Sequence, residues 1–285
     1  MKQAQIEQTF QQELQSLIAS GVWDPYGDFQ AIVKKYVSSD EVLAESDVAC
    51  FRADLKERAN RIPLGHILGY SDFMDCRFVV GTGVFVPRQQ SAMLLEWLKT
   101  RLPVASDAVI YDLCSGTGAI GISAWRQHRG TRVYCLENDE TAYQYLCRNI
   151  HRLADEGSVV ALNKDITDLS FFLDKRQSVD VVISNPPYVP EAESLLPEWE
   201  KHHPEKAIYS GKDGSEIIDA SLRLAETVLK PGGTVIVEHG ESQIAMVKDL
   251  FTRYQFESVF THTDPLFSDQ TGPAVMTLGT KNDKC

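Results

Sequence analysis

No apolar run in this 285-residue chain approaches the ~20 consecutive residues that a membrane-spanning helix needs. The opening Met1-Lys2-Gln3-Ala4-Gln5-Ile6-Glu7 is polar where a secretory signal would be apolar, so a cytoplasmic chain with no membrane partner is expected. The six cysteines, at 50, 76, 114, 135, 147 and 285, show no Cys-x-x-Cys spacing. That argues against a disulfide framework or a zinc site; reduced, structural thiols and no metal are expected. Positive charge is also short: 28 Lys and Arg face 40 Asp and Glu, for a net charge of −12. Such a surface repels a phosphate backbone on average, which disfavours nucleic acid as a partner unless a local basic patch outweighs the whole. Internal repeats and low-complexity segments are lacking as well. What is present is 43% hydrophobic residues, enough for a sizeable core, in a length that calls for one large domain and one small one.

Residues 1 to about 70 carry helical spacing, with Phe10, Leu14 and Leu17-Ile18, then Phe29, Ile32-Val33 and Tyr36, then Val48, Phe51 and Leu55. The pattern predicts a small helical bundle whose stripes form its core. Ser38-Ser39-Asp40 ahead of Glu41-Val42-Leu43 predicts a helix start. From Phe73 to Val86 the alternation shifts toward period two, interrupted by Gly81-Thr82-Gly83, and predicts a hairpin. Beyond it, strands are expected near 109–113, 132–136, 159–162, 179–184, 233–238, 256–262 and 273–279, with helices near 118–128, 140–153, 214–229 and 241–254. This alternation implies an α/β domain with a mainly parallel sheet.

Two motifs sit at predicted strand ends. Val179-Asp180-Val181-Val182-Ile183 runs into Ser184-Asn185-Pro186-Pro187-Tyr188. Two successive prolines lack N–H donors and fix φ, so the chain must leave the sheet as a stiff loop. Asn185 and Tyr188 then stand on a rigid frame. An amide carbonyl, a backbone carbonyl left free before proline and an aromatic face suit a flat group bearing NH₂, such as a carboxamide or the amino group of adenine. The second motif follows Val109-Ile110-Tyr111-Asp112-Leu113, where Cys114-Ser115-Gly116-Thr117-Gly118-Ala119-Ile120-Gly121 turns into a helix. Gly116, Gly118 and Gly121 spell a dinucleotide-type fingerprint, and Glu137 closes the next strand about 20 residues on, where such folds grip a ribose diol. These features suit any adenosine cofactor. A nicotinamide-dependent dehydrogenase would need a catalytic His or Lys pattern that does not accompany the glycines. His202-His203 is a tempting metal pair, but adjacent residues rarely share a ligand sphere and no third ligand is in view, so both are read as loop residues.

Taken together, a strand ending in Asp, the glycine turn, the acidic end of the second strand and Asn-Pro-Pro-Tyr after the fourth resemble class I S-adenosylmethionine (SAM) methyltransferases. Within them the chain resembles the protein-(glutamine) N-methyltransferases that modify peptide chain release factors. That likeness extends upstream to Arg61-Ile62-Pro63-Leu64-Gly65-His66-Ile67-Leu68-Gly69-Tyr70, Arg77-Phe78-Val79-Val80 and Val84-Phe85-Val86-Pro87-Arg88. It extends downstream to Lys212-Asp213-Gly214, Pro231-Gly232-Gly233, Val237-Glu238-His239-Gly240 and Gln243. The resemblance implies a Rossmann-like, seven-stranded catalytic sheet over residues 91–285, a hairpin linker over 73–90 and an N-terminal helical substrate-docking domain over 1–72. It implies SAM as cofactor, held by Asp112, Cys114, Ser115, Gly116, Thr117, Gly118, Glu137, Asp165, Ile166 and Asn185. Catalytic roles fall to Asn185, Pro186, Pro187 and Tyr188, and the substrate entrance to Phe85, Pro87 and Arg88. The implied partner is a peptide chain release factor.

Several positions depart from that family. Pro87-Arg88 is followed by Gln89-Gln90-Ser91-Ala92 where Pro, Asp or Glu, Thr and Glu are usual. His203-Pro204 stands in place of Glu-Pro, an arginine is missing from Gln270-Thr271-Gly272-Pro273-Ala274-Val275, and Ile166 replaces an aromatic. A SAM enzyme acting on a small molecule of a specialised pathway is therefore a second reading, with adenine methylation a chemical variant and a catalytically silent SAM-binding module a third.

Overall fold

The structure, a computed structural model, describes residues 3–37, 42–101, 104–269 and 271–282. Five helices open the chain: α1 (Gln3–Thr9), α2 (Gln11–Ala19), α3 (Pro25–Tyr36), α4 (Val48–Ala59) and α5 (Leu64–Leu68). Asp24 caps α3 by accepting from Gly27 N at 2.9 Å, with Pro25 at the first helical position, where its missing N–H costs nothing. Phe51 of α4 is the hub of the bundle, meeting Phe10, Phe29 and Tyr36 edge to face at 4.8, 6.0 and 5.8 Å. The predicted stripes are its core, except that Ile18 lies partly in solvent. The helix start predicted at Ser38-Ser39-Asp40 lies outside the described residues; helical structure runs from a 3₁₀ turn, Glu45–Asp47, into α4.

A hairpin of β1 (Tyr70–Phe73) and β2 (Cys76–Val79) comes next, earlier than its predicted place. Its turn is Met74-Asp75, with Met74 at φ +52°, and the glycines at 81 and 83 shape the loop beyond it. Helix α6 (Ala92–Arg101) was not anticipated: Ala92, Met93, Leu94, Leu95 and Leu98 are all buried, so no single apolar stripe marks it.

The remainder is β3 (Val109–Leu113), α7 (Ala119–Gln127), β4 (Arg132–Glu137), α8 (Glu140–Leu153), β5 (Val159–Asn163), β6 (Val179–Ser184), α9 (Pro197–His202), α10 (Glu216–Val228), β7 (Leu229–Glu238), α11 (Ile244–Arg253), β8 (Phe256–Asp269) and β9 (Gly272–Lys281). These strands form one sheet in the order β5-β4-β3-β6-β7-β9-β8, parallel except for β9, which runs antiparallel to both neighbours. Alternate residues serve opposite faces: Val181 and Ile183 pack with α6, α7 and α8, while Val182 packs with α10 and α11. Strand order reverses between β3 and β6, both hydrogen-bonded neighbours, which opens a crevice at the carboxyl ends of the strands.

Candidate active site

Register places the two motifs side by side. Leu113 is paired with Leu136 on one side and with Ser184 on the other, so Cys114, Glu137 and Asn185 emerge together at the crevice. They line a cavity of about 650 Å³ that also takes in Phe85, Pro87, Arg88, Pro186, Pro187 and Tyr188.

The turn from β3 to α7 is built by backbone geometry. Cys114, Gly116 and Gly118 all have positive φ, at +56°, +56° and +83°. Ser115 Oγ donates to Asp112 O at 2.7 Å, while Ser115 N donates to Leu136 O at 3.0 Å, tying the turn to the neighbouring strand end. A Cβ on Gly116 would meet nothing within 4 Å, because that position faces the open cavity. On Gly121 it would lie 2.5 Å from Cys135 Sγ and 2.8 Å from Asp112 Oδ2, so this glycine lets α7 pack against the sheet.

Asp112 and Gly118 were expected as cofactor ligands, and neither lines the cavity. Asp112 is completely buried behind the turn, where its Oδ2 accepts from Gly121 N at 2.9 Å. Burial pushes its pKa up to about 7. A Cβ on Gly118 would come within 2.5 Å of Leu146 Cδ1, so its role is also to shape the turn. Cys114, Ser115, Gly116 and Thr117 do line the cavity, as do Asp165 and Ile166. The Asp165 carboxylate accepts from Thr167 N at 2.8 Å and Thr167 Oγ1 at 2.7 Å. Glu137 accepts from Gly116 N and Asp139 N, each at 2.8 Å, which fixes its carboxylate against the turn. Burial raises the Glu137 pKa, and these N–H groups oppose the rise.

A glycine cradle open to the cavity, a fixed carboxylate at the end of the second strand and apolar walls from Leu136, Ile166 and Ile217 fit an adenosine-bearing cofactor such as SAM.

The Asn-Pro-Pro-Tyr loop is held from beneath. Gln243 Nε2 donates to Tyr188 O at 2.7 Å and to Asp213 O at 3.2 Å, and its Oε1 accepts from Gly240 N at 2.9 Å. Gly214, at φ +78°, passes so close to the Tyr188 carbonyl and Gln243 Nε2 that any Cβ there would collide with both. The Lys212-Asp213-Gly214 and Gln243 motifs are thus the brace of this loop. Asn185 Nδ2 donates to Ser91 Oγ at 2.9 Å, which leaves Oδ1 for a ligand.

Arg88 is an organiser of the entrance. Its Nη2 donates to Asp269 Oδ2 at 2.8 Å and Thr271 Oγ1 at 2.7 Å, and its guanidinium lies 4.8 Å from the Trp199 ring centroid. Nη1 reaches Tyr188 Oη at 3.4 Å. The carboxylates that meet these two side chains come from elsewhere in the chain: Asp269 beside Arg88, and the buried Glu238, whose Oε1 accepts from Tyr188 Oη at 3.5 Å. Gln89 and Gln90 are committed to the backbone carbonyls of Asp72 and Gly272.

His202 ends α9 instead of lying in a loop, while His203 follows it in a loop, as expected, but is buried there. Its Nε2 accepts from Val86 N at 3.2 Å, its ring lies 4.8 Å from Phe85 and 5.3 Å from His66, and burial drives its pKa down to about 3. The neutral ring is a spacer between the bundle and the entrance. Sequence reasoning assigned no role to Ser91, Glu238, Trp199 or Asp269. No local spacing links residue 91 to 185 or 269 to 88, and only the fold joins them.

Comparison with known proteins agrees with this geometry. A family model described as "Conserved hypothetical protein 95" matches residues 90–210. A methyltransferase structure from Pyrococcus furiosus superposes with a TM-score of 0.52 at 19% identity, covering 72% of this chain and 88% of that one, and so shares the fold. The release factor glutamine methyltransferase of Streptomyces coelicolor is 39% identical over 68% of this chain and 69% of its own length. That of Mycolicibacterium smegmatis is 38% identical over 83% of this chain and 85% of its own. With the sheet order, the glycine turn and the Asn-Pro-Pro-Tyr loop all in place on a class I methyltransferase fold, an alignment of that depth and extent means that the chain belongs to the release factor glutamine methyltransferase family.

Proposed function

We propose that this protein methylates the side-chain amide nitrogen of a glutamine in a peptide chain release factor, with SAM as methyl donor. The carrying observation is that Asn185 and Pro186 share one cavity with the glycine turn and Glu137. When bound, SAM supplies a methyl group activated by its sulfonium. Glu137 and the turn from Cys114 to Thr117 would hold it, with Asp165 and Ile166 along the adenine side.

The acceptor is the harder partner, because a carboxamide lone pair is delocalised into its carbonyl. Placement must therefore carry much of the rate. Asn185 Oδ1 and the Pro186 carbonyl, which precedes a residue without an N–H, are two acceptors for the two hydrogens of an NH₂ group. Holding both hydrogens points the nitrogen into the cavity and stabilises positive charge as it develops there. Tyr188, half-buried and tied to Arg88 and Glu238, would cover the amide plane. No strong base is required of the chain, since the proton becomes acidic as the new bond forms and can pass to water. Gln89 and Gln90 hold the entrance through the backbone carbonyls of Asp72 and Gly272, and Gln90 also accepts from Arg88.

The test is mass spectrometry of an unmethylated release factor from the same organism after incubation with the protein and methyl-labelled SAM. A single methyl on the Gly-Gly-Gln glutamine is expected. Asn185→Ala should lower kcat by about 10²- to 10³-fold, as loss of one fixed hydrogen-bonding group at a reacting centre does, while SAM affinity is held. No transfer by a protein that binds SAM would overturn the assignment of the acceptor.

A further inference from the structure

We propose that Trp199 is a specificity-determining residue: its indole N–H donates to a backbone carbonyl beside the acceptor glutamine, so the site reads the peptide that carries the glutamine and not its amide alone. The inference rests on the acceptor assignment above and extends it from the reacting nitrogen to the chain that presents it.

Trp199 belongs to none of the motifs that carry the family likeness. It lies in α9, one residue after Glu198, whose carboxylate is held by Arg58 and Arg61 of the helical bundle. Pro197 opens that helix and Trp199 N donates to Leu196 O at 2.9 Å, so the indole stands on a short but fixed mount. Its side chain lines the same cavity as Asn185, Pro186 and Tyr188, half-buried there. The Arg88 guanidinium lies over the ring, 4.8 Å from its centroid, and is itself held by Asp269 and Thr271. Arg88 Nη1 also reaches Tyr188 Oη at 3.4 Å. One wall of the cavity therefore runs from Tyr188 through Arg88 to Trp199.

Asn185 and Pro186 engage the acceptor amide, but the peptide behind that amide needs partners of its own. A glutamine side chain spans roughly 5 Å from its amide nitrogen to its Cα, so the backbone crosses the wall beyond Tyr188, at Arg88 and Trp199. Arg88 has little left to offer there, since Nη1 and Nη2 are engaged and Nε is buried. The Trp199 N–H, by contrast, donates to no described residue and is not closed off from solvent. An indole N–H can only donate, and the acceptor that every residue of a peptide carries is its backbone carbonyl. Tryptophan joins that single donor to a large rigid face, the combination that protein-binding surfaces favour.

The experiment compares wild type with Trp199→Phe and Trp199→His at pH 8, measuring kcat and KM on unmethylated release factor, SAM affinity by calorimetry and melting temperature. Trp199→Phe keeps a ring beneath Arg88 and removes the donor. It should raise KM for the release factor about fivefold, the effect of one ordinary hydrogen bond, with kcat at saturation and SAM affinity unchanged. Trp199→His keeps a flat ring with an N–H, and its KM should stay within about twofold of wild type. A wild-type KM in Trp199→Phe, or the same KM rise in both variants, would overturn the proposal. So would a KM rise in Trp199→Phe matched by weaker SAM binding or a fall in kcat, which would make the indole only a support for Arg88. Absence of release-factor methylation by the wild type would instead overturn the acceptor assignment on which the proposal rests.

Discussion

Replacing Glu198 by alanine should unfasten the helical bundle from the catalytic sheet. Glu198 lies on α9, next to Trp199, and its carboxylate is the meeting point of two arginines from the bundle. Arg58 Nη2 donates to Oε1 at 3.0 Å, Arg61 Nε donates to Oε1 at 2.7 Å, and Arg61 Nη2 reaches Oε2. The side chains of Arg58 and Glu198 are only 7% and 8% exposed, which places the cluster among buried ion pairs. Removing one partner of such a pair costs about 3–5 kcal/mol, since a charge is stranded. Here the arginines keep other acceptors: Arg58 retains Asp28 at 2.6 Å, and Arg61 retains the carbonyls of Ser20 and Gly21. The expected loss for Glu198→Ala is therefore about 2–3 kcal/mol, just below that range. Burial alone would raise the Glu198 pKa, but hydrogen bonds from Arg61 and Arg58 outweigh it and hold it below its ordinary value. A depressed folded-state pKa means that this contribution is present above the unfolded value of 4.5 and is lost as pH falls through the folded one. Urea unfolding at pH 7, with an Arg61→Ala, Glu198→Ala double-mutant cycle, measures both the loss and the coupling. A loss below about 1 kcal/mol, or additive single mutants, would refute the argument that these charges hold one another.

Three further outcomes follow from the same structure. Glu137→Ala should weaken SAM binding about 10- to 100-fold in calorimetry, the value of one or two hydrogen bonds to a charged group, with kcat at saturating SAM little changed; an unaltered Kd would show that the carboxylate does not hold the cofactor. Gly214→Ala forces a side chain into a left-handed position against the Tyr188 carbonyl and Gln243, so it should lose at least the ~1–2 kcal/mol of the backbone conformation; melting temperature and kcat should fall together, and a variant as stable and active as wild type would contradict the brace. Asp112 has a folded pKa of about 7 against 3.8, so its contribution is fully present below about pH 4 and lost as pH rises through 7. Relative to Asp112→Asn, the wild type should therefore lose up to about 4 kcal/mol between pH 4 and 8, read from urea midpoints; parallel stability profiles would refute it.

Period and punctuation made the large elements legible in the chain itself. Strands flanked on both faces read as apolar runs, and the seven expected in the sheet domain all appear, with β7 and β8 longer than the pattern suggested. Helix α6 escaped because its first turn, Ala92 to Leu95, is buried on every side and so carries no stripe, and the hairpin was misplaced because its turn is Met74-Asp75 rather than glycine. The chemistry of the candidate site was legible where one short segment carries both the backbone constraint and the functional group, as in Gly116 to Thr117 or Asn185 to Tyr188. Glu137 was legible because it terminates a strand at a fixed distance from the glycines.

What the sequence by itself determined is therefore the set of parts whose roles depend on local covalent geometry: proline stiffening a strand end, glycine permitting a turn, apolar periodicity selecting helix or strand. Only the tertiary structure decided that Asp112 sits behind the turn, that Ser91 meets Asn185, that Asp269 answers Arg88, and that Glu198 binds the bundle to the sheet domain. Each of these is a hydrogen bond or charge pair between residues roughly 10 to 180 positions apart. Local propensity carries no information about such pairs, because their partners meet only when strand order and register bring them within hydrogen-bonding distance.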